Sequence, residues 1–332
     1  FVWMTKSLSL LKRCQSTRIE AIMFEGKEYV YEVYKEKSFS KAAKNLYISQ
    51  PSLSATIKRI ENRIGFPIFD RSITPISLTE YGQKYIQAVE SIMSTEHDFE
   101  SYISELKELK IGTLSIGGSN LFTSYVLPPL LSEFTKKYPL IQINIVEDNT
   151  SNLESHLLSG NLDFIVDNIT LDETLFQQYI YQEEHLLIAV PKEYPINGKL
   201  IDYQLSLEQI LSKDYLAASI PIVPLENFKD YPFIFLKPNN DTMKRGIKLC
   251  KLNNFSPRVL FELDQQATAY NIACSGMGIC FVSDTLVSKS SYSPNVVYYK
   301  LNVEESKRNI SFYSKRNKYI TYAMGEFLKI IS

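Results

Sequence analysis

No apolar run in the sequence approaches the roughly 18–20 residues that a membrane-spanning helix requires, so a helical membrane protein is excluded and no membrane partner is expected. Cysteine is scarce and scattered: Cys14, Cys250, Cys274 and Cys280 are too few for a disulfide framework, which favours a reducing compartment. The three histidines, His97, His156 and His185, are not spaced as metal ligands, and no two cysteines form a C-x-x-C pair. A serine nucleophile elbow and a glycine-rich phosphate loop are also missing. Gly117-Gly118 follows a strand but lacks the further glycines of a dinucleotide fingerprint. Neither a cofactor nor catalysis is therefore expected. An excess of charge of one sign is absent too, with 36 Lys+Arg against 37 Asp+Glu, and that average argues against a nucleic-acid partner. The average is misleading. Residues 23–78 carry nine basic and six acidic side chains, and residues 79–332 carry 23 and 30, so a mildly basic head precedes an acidic body.

A length of 332 residues with 45% hydrophobic content suits two or three globular domains. The chain opens with Phe1, and the brief apolar stretch Ser7–Leu11 ends at Lys12-Arg13, too short for a secretory leader. Residues 1–22 read as an extension outside the domains, with the functional chain starting near Met23 in the cytoplasm. From there, Tyr29, Val30, Val33 and Tyr34 lie at helical spacing. Ser38 or Ser40 can cap a second helix, Phe39 to Leu46, and the turn Tyr47-Ile48-Ser49 leads into a third. Pro51 belongs in that helix's first turn, and Leu53, Ile57, Ile60 and Ile64 face inward. Gly65 ends it, and Phe66–Arg71 with Ile76–Leu78 forms a small hairpin, or wing. Two short helices joined by a tight turn make a helix-turn-helix, whose second helix reads base edges in the major groove. Gln50 suits adenine, Ser52 and Ser54 bond to most bases, and Arg71 is available to a phosphate or the minor groove.

The run Phe39-Ser40-Lys41-Ala42-Ala43-Lys44-Asn45-Leu46-Tyr47-Ile48-Ser49-Gln50-Pro51-Ser52-Leu53-Ser54, followed by Arg59-Ile60-Glu61, Gly65–Arg71 and Leu78-Thr79, resembles the DNA-binding domain of LysR-type transcriptional regulators. Ala55 stands where the family often has a basic residue, and Ile73-Thr74-Pro75 replaces a commonly basic wing tip. Both departures reduce phosphate contacts. The resemblance implies DNA-contacting residues at Ser40, Ser49, Gln50, Pro51, Ser52, Ser54, Lys58 and Arg71. It also implies a pseudo-palindromic double-stranded promoter site, a homo-oligomer (dimer or tetramer) and RNA polymerase as a further partner.

After Thr79 the chain is free of proline to Leu109. Tyr81, Tyr85, Ala88, Ile92, Phe99, Tyr102 and Leu106 recur every three or four residues, which suits either a coiled-coil seam or a helix packed on its own domain. The resemblance favours a dimerising linker helix over 80–109. From residue 111 strands and helices alternate, predicting a mainly parallel, doubly wound α/β sheet in two halves with a cleft between them.

This body resembles the family too, through Gly112-Thr113-Leu114-Ser115-Ile116-Gly117, Leu127–Leu131, Gly160-Asn161-Leu162-Asp163 and Ser275–Ile279. The implied domains are a winged helix-turn-helix at 23–79 and a periplasmic-binding-protein-like effector domain at 111–332. The latter has subdomain I at 111–183 and 305–332 and subdomain II at 184–304. Small-molecule effectors of such folds sit at strand-to-helix junctions. Those junctions supply Ser119, Asn120, Asn149, Thr150, Asn168, Asn239, Asn240, Gln265 and Gln266, each of which also suits ordinary helix capping. Cys274 and Cys280 flank a Gly-Met-Gly turn and read as core thiols before redox sensors. The competing reading is a solute-binding or enzymatic α/β protein whose N-terminal domain only mediates assembly.

Overall fold

The computed structural model describes residues 23–73, 75–106, 112–238, 240–290 and 293–332, with backbone alone for 101–106. The extension over residues 1–22, Asn239, and the side chains of Tyr102 and Leu106 lie outside the described set. The chain divides into two compact units, the first reaching His97 and taking in Leu158–Gly160, the second comprising Asp98–Leu157 and Asn161–Ser332.

In the first unit, α1 (Lys27–Glu36), α2 (Phe39–Asn45) and α3 (Gln50–Ile64) are the expected three helices. Ser38, not Ser40, caps α2 by accepting from the Lys41 amide. The turn to α3 spans Leu46–Ser49, one residue longer than expected, and reverses through Tyr47 in the left-handed region at φ 55°. Ser49 then caps α3 through the Ser52 amide, and Gly65 closes it at φ 84°. Strands β1 (Phe69–Asp70) and β2 (Ser77–Leu78) form the antiparallel wing. Val30, Val33, Ala42, Leu53, Ile57 and Ile68 are fully buried together, because the alanines let the helices approach closely. The long α4 (Glu80–Leu106) follows.

The second unit begins with β3 (Gly112–Gly118), α5 (Asn120–Tyr125), α6 (Leu127–Lys137), β4 (Ile141–Glu147), α7 (Thr150–Leu158) and β5 (Phe164–Asp167). Helix α6 starts at Leu127 because Pro128 and Pro129 fit a first turn and no later one. Strand β6 (Phe176–Pro191) runs 16 residues and starts well upstream of its apolar run Leu186–Val190. After β7 (Gln204–Leu205) and α8 (Leu207–Leu211) come β8 (Pro232–Leu236), α9 (Asp241–Leu252), β9 (Arg258–Leu263), α10 (Gln266–Cys274), β10 (Ile279–Ser283), α11 (Asp284–Lys289), β11 (Val296–Lys300), α12 (Val303–Ser306), β12 (Lys307–Lys315) and α13 (Tyr322–Ile331).

Strand order is β4-β3-β5-β12-β6-β10-β8-β9, with β11 and β7 on the flank of β6. Two parallel triplets, β4-β3-β5 and β10-β8-β9, are joined by the antiparallel pair β12 and β6. The sheet is thus parallel in each half and antiparallel at the join. The expected subdomain limits fall within β6 and just before β12, so these two strands are the crossovers. Leu186–Val190 is buried on both faces, as a central strand should be. The carboxyl ends of both triplets face the junction of the halves, where the crossover pair Arg308 and Glu184 lie opposite one another.

Candidate functional site

The first candidate surface is the exposed start of α3. Ser40, Ser49, Gln50, Pro51, Ser52, Lys58 and Arg71 are exposed and Ser54 is half-buried. Ser40 Oγ donates to Gln50 Oε1 at 3.0 Å, which restrains the Gln50 amide. Such preorganisation suits bidentate readout of a base edge. Arg71 is less free than its sequence position implies. One amino group donates to Glu61 at 2.9 Å, and the guanidinium lies over the Phe39 ring, 5.0 Å from its centre. Glu61 is a residue whose task the sequence did not announce. Its other oxygen accepts from the amides of Ile68 and Phe69 at 2.9 and 3.2 Å, so one carboxylate anchors the wing to α3.

Helix α4 corrects the expected seam. Tyr85 is buried in the head's own core with Ile86 and Val89, and its ring stacks on Phe24 at 5.2 Å. Tyr81 is exposed yet stacks on Phe66 at 4.3 Å. Both tyrosines serve the head because Gly82 lets the helix touch the wing: a Cβ there would sit 2.0 Å from the Ile68 carbonyl oxygen. Of the expected seam residues whose side chains are described, Ala88, Ile92 and Phe99 stay outside the head's core, the last 62% exposed. These three keep heptad-like spacing.

The second candidate surface is the line of strand ends between the halves of the body. Several residues named from sequence are ordinary caps. Asn149 accepts from the Asn152 amide and Asn240 from the Thr242 amide. Ser119 occupies the cap position of α5 without a side-chain bond, and Gln265 that of α10 likewise. Gln266 is buried, donating to Thr242 Oγ1 and accepting from Ser283 Oγ. The remaining three each meet a carboxylate. Asn120 donates to Glu147 at 3.3 Å, joined there by Thr123 at 3.0 Å; Thr150 donates to Asp167 at 2.8 Å; Asn168 donates to Glu184 at 3.0 Å. Sequence reasoning missed these acids because Glu147 and Asp167 end strands and Glu184 lies inside one, each unremarkable within its own segment.

Across the join, Arg308 donates to Glu184 and Asp241 at 2.8 Å each and to Thr242 at 2.9 Å; Arg245 also reaches Asp241 at 2.8 Å. The Arg308 and Glu184 side chains are 1% and 0% exposed. The chain of bonds from Thr150 through Asp167 and Asn168 reaches both crossovers and the start of α9. Burial pushes the Asp167 carboxyl above its usual range, and burial with the Asp167 charge does the same to Glu154. Burial lowers His185, and raises the Asp284 carboxyl that accepts from Tyr215. Burial pushes the thiol of Cys250 up to about 12 and raises that of Cys280, so neither is poised as a nucleophile at neutral pH.

Residues 26–83 match the bacterial regulatory helix-turn-helix protein, lysR family, and residues 107–211 and 203–332 match the LysR substrate binding domain. The chain belongs to the LysR family of transcriptional regulators. Within that family it is 28% identical over 308 residues to the uncharacterized HTH-type transcriptional regulator YcgK of Bacillus subtilis (strain 168), covering 91% of this chain and 92% of that one. A probable RuBisCO transcriptional regulator of Thalassiosira pseudonana is 28% identical over 257 residues, 76% of this chain and 78% of its own. A full-length OxyR variant from Pseudomonas aeruginosa shares the fold at TM-score 0.62 and 18% identity, with 92% of each chain covered. Full-length CbnR, solved with its target DNA, shares it at TM-score 0.56 and 16% identity, covering 93% of this chain and 98% of that one. This LysR-type regulator therefore has the family's winged helix-turn-helix and periplasmic-binding-protein-like body, in a family of transcriptional regulators, not enzymes. Among the described residues no helix is long and apolar enough to cross a membrane.

Proposed function

We propose that this LysR-type regulator binds a pseudo-palindromic promoter site as a dimer or tetramer and is controlled by a small molecule bound between the two halves of its body. The observation that carries the DNA half is the Ser40–Gln50 bond at the exposed start of α3, which fixes a base-reading amide before DNA arrives. Ser49, Pro51, Ser52 and Ser54 share that edge. Lys58 and the unoccupied part of the Arg71 fork reach phosphate, and Glu61 and Phe39 brace Arg71 for it. Ala88, Ile92 and Phe99 on α4 form the seam to a second copy, and 80–109 is the linker between a domain at 23–79 and one at 111–332. RNA polymerase is the downstream partner.

The effector half rests on the hydrogen-bonded chain that crosses the join. A ligand engaging Thr150 or Asn168 on one side and Thr242 or Gln266 on the other changes bonds that hold the two halves together. Closure of the halves is then the switch, because a ligand shifts an equilibrium by its differential contacts with the two states. The test for the DNA half is a pulldown of genomic fragments at moderate salt, followed by Gln50→Ala. Loss of one bidentate base contact weakens a specific site by about 1–3 kcal/mol and leaves random DNA almost unaffected. Equal loss on both, or no enriched palindromic site, refutes the assignment. For the effector half, a found ligand's thermal shift should collapse in Thr150→Ala.

A further inference from the structure

The turn between α2 and α3 carries a side chain that the fold of the head does not use. Tyr47 is 96% exposed, while Leu46 and Ile48 on either side pack against the head's core. No aromatic ring or hydrogen-bond partner meets the Tyr47 side chain among the described residues. Its backbone is in the left-handed region at φ 55° and closes α2, with the Tyr47 amide donating to the Lys44 carbonyl and the Ile48 amide to the Ala43 carbonyl. That helix ending takes glycine or asparagine by preference, because a Cβ crowds the following carbonyl there. Five described non-glycine residues adopt positive φ, and only Tyr47 among them is aromatic. The head thus keeps a bulky side chain where the backbone disfavours it and receives no packing in return.

The place of Tyr47 on the head is a second, independent observation. It lies two residues before Ser49, the cap of α3, and three before Gln50, and all three residues are exposed. Three residues span at most about 11 Å between Cα atoms, and a B-form major groove is about 12 Å wide and about 8.5 Å deep. With Gln50 at the base edges, Tyr47 stands at the height of the groove's wall, which is sugar and phosphate. The charged residues of α2, Lys41 and Lys44, are exposed and form no ion pair among the described residues. The acids Glu32 and Glu36 of α1 share the Asn45 amide at 2.7 and 3.0 Å. The free charges of α2, beside the tyrosine, therefore suit a polyanion.

Resting on the reading of α3 above, we propose that Tyr47 contacts the DNA backbone, its ring against a deoxyribose and its hydroxyl donating to a phosphate of the groove wall. Backbone strain in the free head is exchanged for contact with the duplex. The experiment is fluorescence anisotropy of the full chain on a random-sequence duplex and on the site enriched by the pulldown, with Tyr47→Gly and Tyr47→Asn, both suited to left-handed backbone. Each variant should bind both duplexes about threefold to tenfold more weakly, the worth of a neutral contact, and keep the parent's salt dependence because a neutral side chain displaces no counterion. Lys58→Ala, which removes a cation, should flatten that dependence instead. Urea stability read by hydrogen exchange at the Leu53 and Ile57 amides should be unchanged or higher in both tyrosine variants. Affinities indistinguishable from the parent's overturn the proposal, as does lowered stability, which makes Tyr47 a packing residue. Loss confined to the enriched site makes it a base reader, and normal DNA binding with lost transcription by purified polymerase makes it a polymerase contact; either result overturns the backbone assignment. Gln50→Ala in the same assay keeps the two readings apart: if it leaves the enriched site unweakened, the reading of α3 fails, and if it weakens that site while both tyrosine variants are silent, only the Tyr47 assignment fails.

Discussion

Arg308 offers the most demanding test of how the body is held together. Its guanidinium is buried at the antiparallel join, bonded to Glu184 from the opposite crossover and to Asp241 and Thr242 at the start of α9. Replacing it by methionine keeps the volume and removes the charge. Asp241 then still has Arg245, but fully buried Glu184 is left with the Asn168 amide alone. Removing one partner of a buried ion pair costs about 3–5 kcal/mol, chiefly because the surviving charge is uncompensated. At roughly 2–4 °C per kcal/mol for a unit of this size, Arg308→Met should lower the melting midpoint of the body by about 6–20 °C. The attribution is sharpened by the double variant Arg308→Met with Glu184→Gln. If the stranded carboxylate is the cost, the second substitution restores about half or more of the loss, since an apolar–neutral pair in place of a buried ion pair is often nearly neutral. Calorimetry with urea denaturation of the full chain measures both. A single variant within about 1 kcal/mol of the parent, or a double variant no more stable than the single, refutes the reasoning.

Three further outcomes follow from contacts elsewhere. Gly82→Ala should dislodge the wing from α4 and cost several kcal/mol in the head, because the new Cβ meets a backbone oxygen that cannot retreat; near-parental stability by urea denaturation would show the contact is soft. Glu61→Ala leaves the amides of Ile68 and Phe69 without their acceptor and should destabilise the head by about 2 kcal/mol or more, with Glu61→Gln losing less; hydrogen exchange at those two amides reads the effect directly. Asp167 is raised by burial, so the folded state holds its proton more tightly than the unfolded chain does. Its contribution is present below the ordinary aspartate range and is lost as pH rises toward the folded pKa. Asp167→Asn should therefore gain on the parent as pH rises through that window, and a variant whose urea midpoint falls relative to the parent's over that rise would contradict the sign.

The head was legible because its signals are local. Ser49, Pro51 and Gly65 each mark a helix end by their own backbone chemistry, and the burial of Leu53, Ile57 and Ile60 follows from spacing alone. Helix α4 was only half legible for an equally physical reason. Periodicity says which residues share a stripe but not which neighbour the stripe meets, and the Gly82 contact turns Tyr85 into its own domain. Only the second half of β6, Leu186–Val190, is continuously apolar and so legible as a buried strand. Phe176–Glu184 mixes aromatic and polar residues without strict alternation, and it is a strand because β12 pairs along its length. Sequence cannot announce a pairing whose partner lies more than 100 residues away.

The cleft's chemistry was hidden by the same distance. Asn120, Thr150 and Asn168 looked like neutral groups awaiting a ligand because each was read with its own helix or loop, where nothing contradicts that role. Their acceptors come from other strands: Glu147 from β4, Asp167 from β5 and Glu184 from β6. Folding therefore changes what the cleft offers, from three free polar side chains to three carboxylates already receiving them. That conversion bears on how a ligand could move the halves. If the neutral donors were free, a ligand would add bonds to a cleft otherwise indifferent to it. With the donors engaged, binding must exchange existing bonds, and the bond at Asn168 ties the first half directly to the Glu184–Arg308 join. A ligand that draws Asn168 off Glu184 acts on the crossover pair itself, and the differential contact that a switch requires is built into the act of binding.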